Sequence, residues 1–234
     1  MKVLAISAHP DDVEIACSGT LSKCVQRGDL VTVCHMSNGN LGHMVIPPKE
    51  LAEIRMEEAR SAGALAGIKV ICAGFGDLDL YGEERRCRDC LTDIIKKEDP
   101  DFIITHDPED YMPDHVAVSK LTFDASFAAT LPNYPNSVKG AARPVPIFYM
   151  DTLAGVNFLP EYYVDITSAI DLKLRMLECH QSQLRWMREH DGIDFADMVK
   201  VCSRYRGYQC GVGYAEAFRL CKAYLKGTAE RLLP

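Results

Sequence analysis

Short apolar runs alternate with longer helical segments through the first 130 residues of the chain. The runs are predicted strands, at 2–7, 29–36, 69–73 and 101–105. The segments between and after them space their apolar residues as helices do, at 13–27, 48–66, 83–97 and 113–130. Because strands that alternate with such helices form βαβ units, we predict an α/β fold with a doubly wound, mostly parallel sheet and helices on both faces.

The pattern becomes less regular after residue 131, where a proline-rich stretch follows. The later predicted elements are strands at 145–150 and 162–165, then helices at 167–180, about 183–203 and about 214–224. No stretch has the composition of a linker. We therefore predict a single domain over 1–234, with a core at about 1–130 and a helical C-terminal portion at about 160–234.

The composition excludes several classes of protein. The formal net charge is -7, and the basic stripe typical of nucleic-acid-binding proteins is missing, so we expect no nucleic-acid partner. No apolar run approaches the roughly 18 residues that a transmembrane helix needs. The N-terminal stretch lacks a signal-peptide h-region, and several cysteines lie in apolar segments, as in proteins of reducing compartments. These features predict a cytoplasmic protein.

One histidine and two aspartates lie close together at the end of the first predicted strand. They are His9, Asp11 and Asp12, and Pro10 restricts the backbone between them. A helix N-cap would explain one aspartate, but it does not explain the histidine or the second aspartate. A catalytic zinc needs about three His or carboxylate ligands, an open position for water and a nearby carboxylate base. This segment offers two ligands and a base, and a third ligand must come from elsewhere.

A second group of histidines and aspartates follows the fourth predicted strand. His106 follows that strand directly, and Asp114 and His115 begin the next predicted helix. In a doubly wound sheet the first and fourth strands can be neighbours, and ligands bind outside the carboxyl ends of the strands. Taken alone, His115 would be interpreted as a capping or solvent-facing residue. Together with the first group, it is expected to face His9 and Asp12.

The segment Ala8–Glu14 reads AHPDDVE and resembles the A-H-P-D-D-x-E signature of the PIG-L/LmbE-like family of zinc-dependent N-deacetylases. Weaker motifs follow in the expected order. Arg55–Ala59 resembles the family's R-x-x-E-A helix, and Pro113–His115 resembles the end of its H-P-D-H motif. His180–Gln183 resembles H-x-S-Q, and Tyr214–Phe218 resembles Y-A-E-x-F. The resemblance therefore covers nearly the whole chain.

The resemblance implies a Rossmann-like fold and a hydrolase that removes an acyl group, usually acetyl, from an N-acylated amino sugar such as an N-acetylglucosamine conjugate. Carried over residue by residue, it implies His9, Asp12 and His115 as metal ligands. It implies Asp11 as the catalytic general base. The implied cofactor is Zn2+, although His and Asp ligands would also accept Fe2+ or Co2+.

The resemblance also indicates where the substrate binds. Arg55 would lie near it, and Asn38 and Gly39 belong to a loop that matches a family loop near the sugar. No G-x-G-x-x-G follows the first strand, so we expect no NAD. The implied partner is a small N-acylated amino sugar. Several relatives form oligomers, which leaves a homo-oligomer open for this chain.

One position departs from the family pattern. The family usually has a histidine three residues before the last ligand, where this chain has Met112. That histidine serves to stabilise the oxyanion or to protonate the leaving amine, and methionine can do neither. Three alternatives follow. Asp11 acts first as base and then as acid, or His106 or Tyr111 substitutes for the histidine, or the protein is a slow or inactive relative that binds sugar and metal.

Overall fold

The computed structural model describes residues 1–81 and 84–234 and has a seven-stranded sheet at its centre. The strands are β1 (Lys2–Ser7), β2 (Leu30–Ser37), β3 (Lys69–Phe75), β4 (Phe102–Thr105), β5 (Ile147–Met150), β6 (Tyr162–Asp165) and β7 (Ala215–Leu220). Their spatial order is β3-β2-β1-β4-β5-β7-β6. Strands β1 to β5 run parallel, and β7 pairs antiparallel with both β5 and β6. The predicted α/β fold with a mostly parallel sheet is confirmed.

Helices connect the strands and pack around the sheet. They are α1 (Asp12–Ala16), α2 (Ser18–Gln26), α3 (Pro48–Ala66), α4 (Glu84–Glu98), α5 (Pro113–Ala128), α6 (Ile170–Glu178), α7 (Gln181–Trp186) and α8 (Phe195–Cys210). None of the helices in the described ranges is both long and apolar enough to cross a lipid bilayer. The predicted helix at 83–97 corresponds to α4, and its first predicted residue, Glu83, lies outside the described residues.

Alternate residues of β1 point to opposite faces of the sheet. Val3 and Ala5 pack in a hydrophobic cluster with residues of α2 and α6. Leu4 and Ile6 pack in a second cluster with residues of α4 and α5. All four are at most 2% exposed. A strand that is apolar on both faces is typical of a parallel sheet covered on both sides, which is the doubly wound arrangement.

The pairing of β1 with β4 determines where the two predicted site segments lie. Ile6 of β1 is opposite Thr105 of β4, so the carboxyl ends of these strands are adjacent. From β1 the chain builds β2 and β3 on one side and then returns to place β4 on the other. This reversal is the switch point at which open α/β sheets bind ligands. The turn after β1 and the start of α5 therefore face the same space.

Two C-terminal predictions were wrong. The predicted helix at about 214–224 is strand β7, which forms hydrogen-bonded pairs with β5 on one side and β6 on the other. The predicted helix at about 183–203 is interrupted, because a π-helical turn at Met187–Asp191 and Gly192, with φ of 69°, separate α7 from α8. The C-terminal portion thus contains strands as well as helices.

Candidate metal centre

His9, Asp12 and His115 come together outside the carboxyl ends of β1 and β4. Each offers one ligand atom, and the three atoms lie within 4.8 Å of one another. His9 lies in the turn after β1, Asp12 begins α1, and His115 lies in the first turn of α5. Asp12 and His115 are buried, and His9 is nearly so. The structure therefore brings together three residues that the sequence analysis singled out from two distant segments.

The ring of His115 has one nitrogen in use and one without a partner. Its Nδ1 lies 2.9 Å from Oδ2 of Asp110. Its buried Nε2 has no hydrogen-bond partner among the described residues and lies 3.3 Å from Oδ1 of Asp12. An unpartnered buried nitrogen is costly unless a ligand binds it. A divalent cation between Nε2 and the Asp12 carboxylate would satisfy both groups, so these residues fit a metal ion.

Asp114 lies at hydrogen-bond distance from one ring nitrogen of His9, as Asp110 does from one ring nitrogen of His115. Its Oδ2 lies 3.2 Å from Nε2 of His9 and also accepts the backbone N–H of Leu78 at 2.9 Å. Nδ1 of His9 lies on the side of Asp12, 3.6 Å from its Oδ2. In the tautomer whose Nε2–H donates a hydrogen bond to Asp114, Nδ1 of His9 has a free lone pair. Each donor histidine is therefore oriented by an aspartate on its far side, as is usual for metal-binding histidines.

Carboxylates dominate the electrostatics of this cluster. Burial alone would lower the pKa of His9, but Asp12 and Asp114 outweigh it and raise that pKa to about 10. Burial also opposes protonation of His115, whose pKa Asp12 and Asp110 nevertheless raise to about 9. For Asp12, burial favours a higher pKa, yet the surrounding imidazoles hold it well below the usual value. The carboxylates thus favour positive charge on the two imidazoles, and a divalent cation bound there would take the place of the protons.

Asp11 lies beside the three donors and is held by Arg55. The Nη2 atom of Arg55 donates to Oδ1 of Asp11 over 3.0 Å and to the carbonyl of Pro10 over 2.7 Å. Asp11 has a φ of 135°, which is rare for a residue with a side chain and is maintained here by these contacts. Burial raises the pKa of Asp11 to about 6, although the guanidinium of Arg55 opposes the rise.

Of the three predicted substrate-binding residues, Arg55 lines the cavity, and Asn38 and Gly39 are not among its described lining residues. Arg55 lines the site cavity, but it is 3% exposed and also donates to the carbonyl of Gly39 at 3.2 Å. Gly39 has a φ of 70°, and a Cβ there would lie 2.5 Å from Arg55, so the loop requires glycine. The Asn38 side chain accepts the backbone N–H of Asn40. Gly42 of this loop does line the cavity.

His106 and Tyr111, the candidate substitutes for the missing histidine, lie in contrasting surroundings. Nε2 of His106 accepts the backbone N–H of Ala8 at 2.9 Å, and its ring stacks on His115 with centroids 3.8 Å apart. Burial and the neighbouring His115 lower the pKa of His106 to about 4, which keeps the ring neutral. Tyr111 is 52% exposed and is not among the described residues that line the cavity. Met112 does line it.

Two aspartates at the site were not singled out from the sequence. Asp110 holds His115, as described, and Asp77 lines the cavity with a buried Oδ1 that has no partner in the described ranges. Asp77 follows β3 and Asp110 follows β4. Their positions after the carboxyl ends of parallel strands were the signal that could have identified them.

The H-x-S-Q segment closes one side of the site. His180 is fully buried, and its Nε2 lies 3.4 Å from the carboxylate of Glu14 in α1. Gln183 donates from Nε2 to the carbonyl of Gly42 over 3.0 Å. His180 and Gln183, at the start of α7, therefore contact both α1, the helix that begins with Asp12, and the loop that borders the cavity.

The three donors line a cavity of about 250 Å³. Its lining also includes the large apolar side chains of Ile15, Leu153, Trp186, Met187 and Phe195. A concave site that combines converging polar groups with apolar walls is the usual form of a small-molecule site.

The chain is similar to a known protein family and to several known enzymes. The model of a family described as PIG-L, GlcNAc-PI de-N-acetylase, matches residues 4–126, a span that includes all three donors. A diacetylchitobiose deacetylase from Thermococcus kodakarensis is 30% identical over 230 residues, covering 93% of this chain and 82% of the relative. A 4-oxalmesaconate hydratase from Pseudomonas putida is 26% identical over 188 residues, covering 77% of this chain and 73% of the relative. The solved structure of N,N'-diacetylchitobiose deacetylase from Pyrococcus horikoshii, complexed with an inhibitor, has a TM-score of 0.78 and 28% identity, covering 94% of this chain and 83% of that one.

Proposed function

The chain belongs to the PIG-L family of GlcNAc-PI de-N-acetylases, and we propose that it is a metal-dependent amide hydrolase that removes an acyl group, in the simplest case acetyl, from an N-acylated amino sugar or its conjugate. Both diacetylchitobiose relatives are deacetylases of an N-acetylated sugar. The observation that carries the proposal is the convergence of His9, Asp12 and His115 beside the carboxylate of Asp11.

We assign the metal ion to His9, Asp12 and His115. Two imidazoles and one carboxylate are a donor set that catalytic zinc sites use, although Fe2+ or Co2+ would also accept it. The unpartnered Nε2 of His115 and the aspartates behind both histidines support this assignment. When bound, such an ion supplies the Lewis acidity that activates water and polarises an acyl carbonyl.

Asp11 is the proposed general base. Arg55 engages its Oδ1, so Oδ2 is the oxygen that takes a proton from the attacking water. The water oxygen forms a bond to the acyl carbon, and the C–N bond breaks as the amide nitrogen accepts that proton from Asp11. The products are a carboxylic acid and a free amine. Arg55 acts here as a positioning residue that fixes the orientation of the carboxylate.

We propose that Asp11 serves both as base and as acid, which is the first of the three alternatives for a chain with Met112. The surroundings of His106 and Tyr111 favour this choice. His106 accepts a backbone N–H and supports the His115 ring, and Tyr111 is largely exposed. A missing oxyanion donor typically lowers kcat by about 10²–10³, so the proposal includes a comparatively slow reaction.

The test is an assay of amine and acetate release from N-acetylglucosamine and diacetylchitobiose by metal-replete protein. We expect equimolar release that a chelator abolishes and added Zn2+ restores. Because one relative is a hydratase, the same protein is also assayed for hydration of 4-oxalmesaconate. Hydration without cleavage of any amide in the panel would contradict the proposal.

A further inference from the structure

A second cavity adjoins the candidate site and shares part of its lining. Its volume is about 280 Å³, and it lies between the 3₁₀ turn at Leu153–Gly155 and helix α8. Four residues line both cavities, namely Ile15, Ala16, Asp151 and Leu153. Ile15 and Ala16 belong to α1, the helix that begins with Asp12. The second cavity is therefore separated from the metal donors by less than two turns of one short helix.

Apolar side chains form most of the second cavity. Those that are not shared with the first cavity are Ala154, Met198, Val199, Val201, Cys202, Ala215 and Ala217. At its rim, Val201 is 57% exposed and Tyr205 is 58% exposed. The rim is thus accessible from solvent, whereas Val199 and Ala215 at its base are about 1% exposed.

The polar groups around the second cavity have partners within the protein. Asp151 accepts two hydrogen bonds from Arg206, at 2.6 and 3.0 Å. Glu216 accepts from Lys173 at 2.6 Å. Hydroxyl groups donate to backbone carbonyls, from Thr152 to Val156 and from Ser203 to Val199. Among the described residues that line this cavity, no buried polar side-chain atom lacks a partner.

The two cavities therefore suit different parts of a ligand. In the first, His115 and Asp77 have buried atoms without partners in the described chain, which favours an ion and a polar ligand. In the second, an entering polar group would lose hydrogen bonds to water and meet no unpaired buried side-chain atom among the described lining residues. An aliphatic chain has no such cost, and its transfer from water to an apolar wall is favourable.

We propose that the second cavity is an alkyl pocket that binds an aliphatic chain attached to the amino sugar. The inference rests on the proposed function, because the amide must lie at the metal donors while the chain passes Ile15 and Leu153. The chain belongs either to the N-acyl group or to an alkyl aglycone, and both present the same chemistry to the pocket. Each buried CH2 is expected to improve kcat/KM about fourfold.

The experiment compares two pairs of substrates on metal-replete protein. One pair is N-acetylglucosamine and N-hexanoylglucosamine, and the other is methyl and hexyl N-acetylglucosaminide. We expect the longer member of one pair to have at least about tenfold higher kcat/KM, since several CH2 groups enter the pocket. The pair that shows the gain identifies which end of the substrate carries the chain.

A pocket-filling variant tests the location. Cys202→Phe places a ring in the alkyl pocket, and we expect it to reduce the long-to-short ratio of kcat/KM at least about tenfold. Lys200→Phe is the matched control, because Lys200 lies on the same helix but is exposed and lines neither cavity. Met198→Trp fills the same space and replaces Cys202→Phe if that variant does not fold, as judged by its unfolding midpoint.

The outcomes separate the two proposals. Cleavage of the acetyl substrates with equal kcat/KM for long and short chains overturns the alkyl pocket and leaves the hydrolase proposal intact. If no amide is cleaved, calorimetric binding of the hexyl and methyl glycosides decides the matter. The same calorimetry is run on N-hexanoylglucosamine and N-acetylglucosamine. Tighter binding of the longer member of either pair that Cys202→Phe removes supports the pocket, and equal affinities within both pairs overturn it.

Discussion

Asp110 and Asp114 determine which nitrogen of each donor histidine faces the proposed ion. Both carboxylates lie at hydrogen-bond distance from the ring nitrogen on the far side, at 2.9 Å for His115 and 3.2 Å for His9. A carboxylate in that position fixes the tautomer and makes the opposite nitrogen a better donor. The metal affinity of this site should therefore depend on residues that never touch the metal.

Asp110→Asn should weaken metal binding about tenfold, because the neutral amide still accepts a hydrogen bond but no longer favours the required tautomer. Competition with a chromophoric chelator measures the affinity for Zn2+. Glu109→Gln is the matched control, since it removes the neighbouring charge from a side chain that is 68% exposed. Equal affinities of the Asp110→Asn variant and the wild type would rule out this orienting role.

Asp11→Asn tests the proposed base directly. We expect kcat to fall by about 10²–10⁴, because the amide cannot accept the proton from water. The metal content should stay at the wild-type level, since Asp11 is not an assigned ligand, and elemental analysis measures it. An unfolding midpoint close to that of the wild type would confirm that loss of the carboxylate charge beside Arg55 leaves the fold intact. Near-normal turnover by Asp11→Asn would refute the assignment.

Met112→His tests whether the departure from the family pattern limits the rate. Met112 lines the cavity three residues before His115, where the family pattern has the histidine that stabilises the oxyanion or protonates the amine. We expect kcat to rise at least about tenfold, as one recovered oxyanion donor is typically worth about 10²–10³. Met112→Leu should remain close to the wild type. A histidine variant that is no faster than the leucine variant would show that another group already performs this role.

Strand β7 is connected to α2 by a buried carboxylate. Glu216 accepts the backbone N–H groups of Gly19 at 2.9 Å and Thr20 at 2.7 Å, which lie in the first turn of α2. It also accepts from Lys173, whose side chain is fully buried. A carboxylate at a helix N-terminus satisfies otherwise unpaired N–H groups and interacts favourably with the helix dipole. The C-terminal strand thereby holds α2, which directly follows the helix that begins with Asp12.

Glu216→Ala should lower the free energy of unfolding by about 3–5 kcal/mol, because it leaves Lys173 as an unpaired buried charge. Urea denaturation measures the change. Glu84→Ala is the comparison, since its pair with Lys120 joins two exposed side chains and should contribute less than about 1 kcal/mol. The double variant Lys173→Met/Glu216→Leu should recover part of the loss. Similar losses for Glu216→Ala and Glu84→Ala would contradict the role of the buried pair.

The helices and strands that were predicted correctly are those in which the spacing of apolar residues alone determines which face packs against the core. Helix α3 was predicted at its observed bounds, and β1 was predicted at its observed bounds as well. The segment Ala215–Leu220 contains alanine, glutamate and leucine, which favour helices, but pairing with β5 and β6 makes it a strand. The interruption at Met187–Asp191 likewise depends on tertiary packing that no local pattern records.

The candidate site was predictable where it depends on topology. Segments that follow adjacent parallel strands lie at the same edge of the sheet, and for this reason His115 was expected to face His9 and Asp12. The same rule places Asp77 and Asp110 near the site, but it does not predict which groups their side chains contact. Their loops have no periodicity, so the directions of those side chains follow from backbone turns that only the fold specifies.

For the whole molecule, the proposed ion is a crosslink between distant parts of the chain. It would join the turn after β1 to the first turn of α5, about a hundred residues later in the sequence. An ion that binds the folded state alone stabilises it by about 2.7 kcal/mol at a concentration 100 times Kd. For a protein of this length, that corresponds to a rise in Tm of roughly 5–10 °C.

Chelation should therefore lower Tm as well as activity, and added Zn2+ should restore both. Differential scanning fluorimetry with and without a chelator measures the shift. His115→Ala should lose the Zn2+-dependent rise, because it removes one of the three donors, while His190→Ala should keep it, because that histidine is half exposed and lies outside the cavity. If the His115→Ala variant were stabilised by Zn2+ as strongly as the wild type, the ion would bind elsewhere on the molecule. The crosslink between β1 and α5 would then have no part in the stability of this fold.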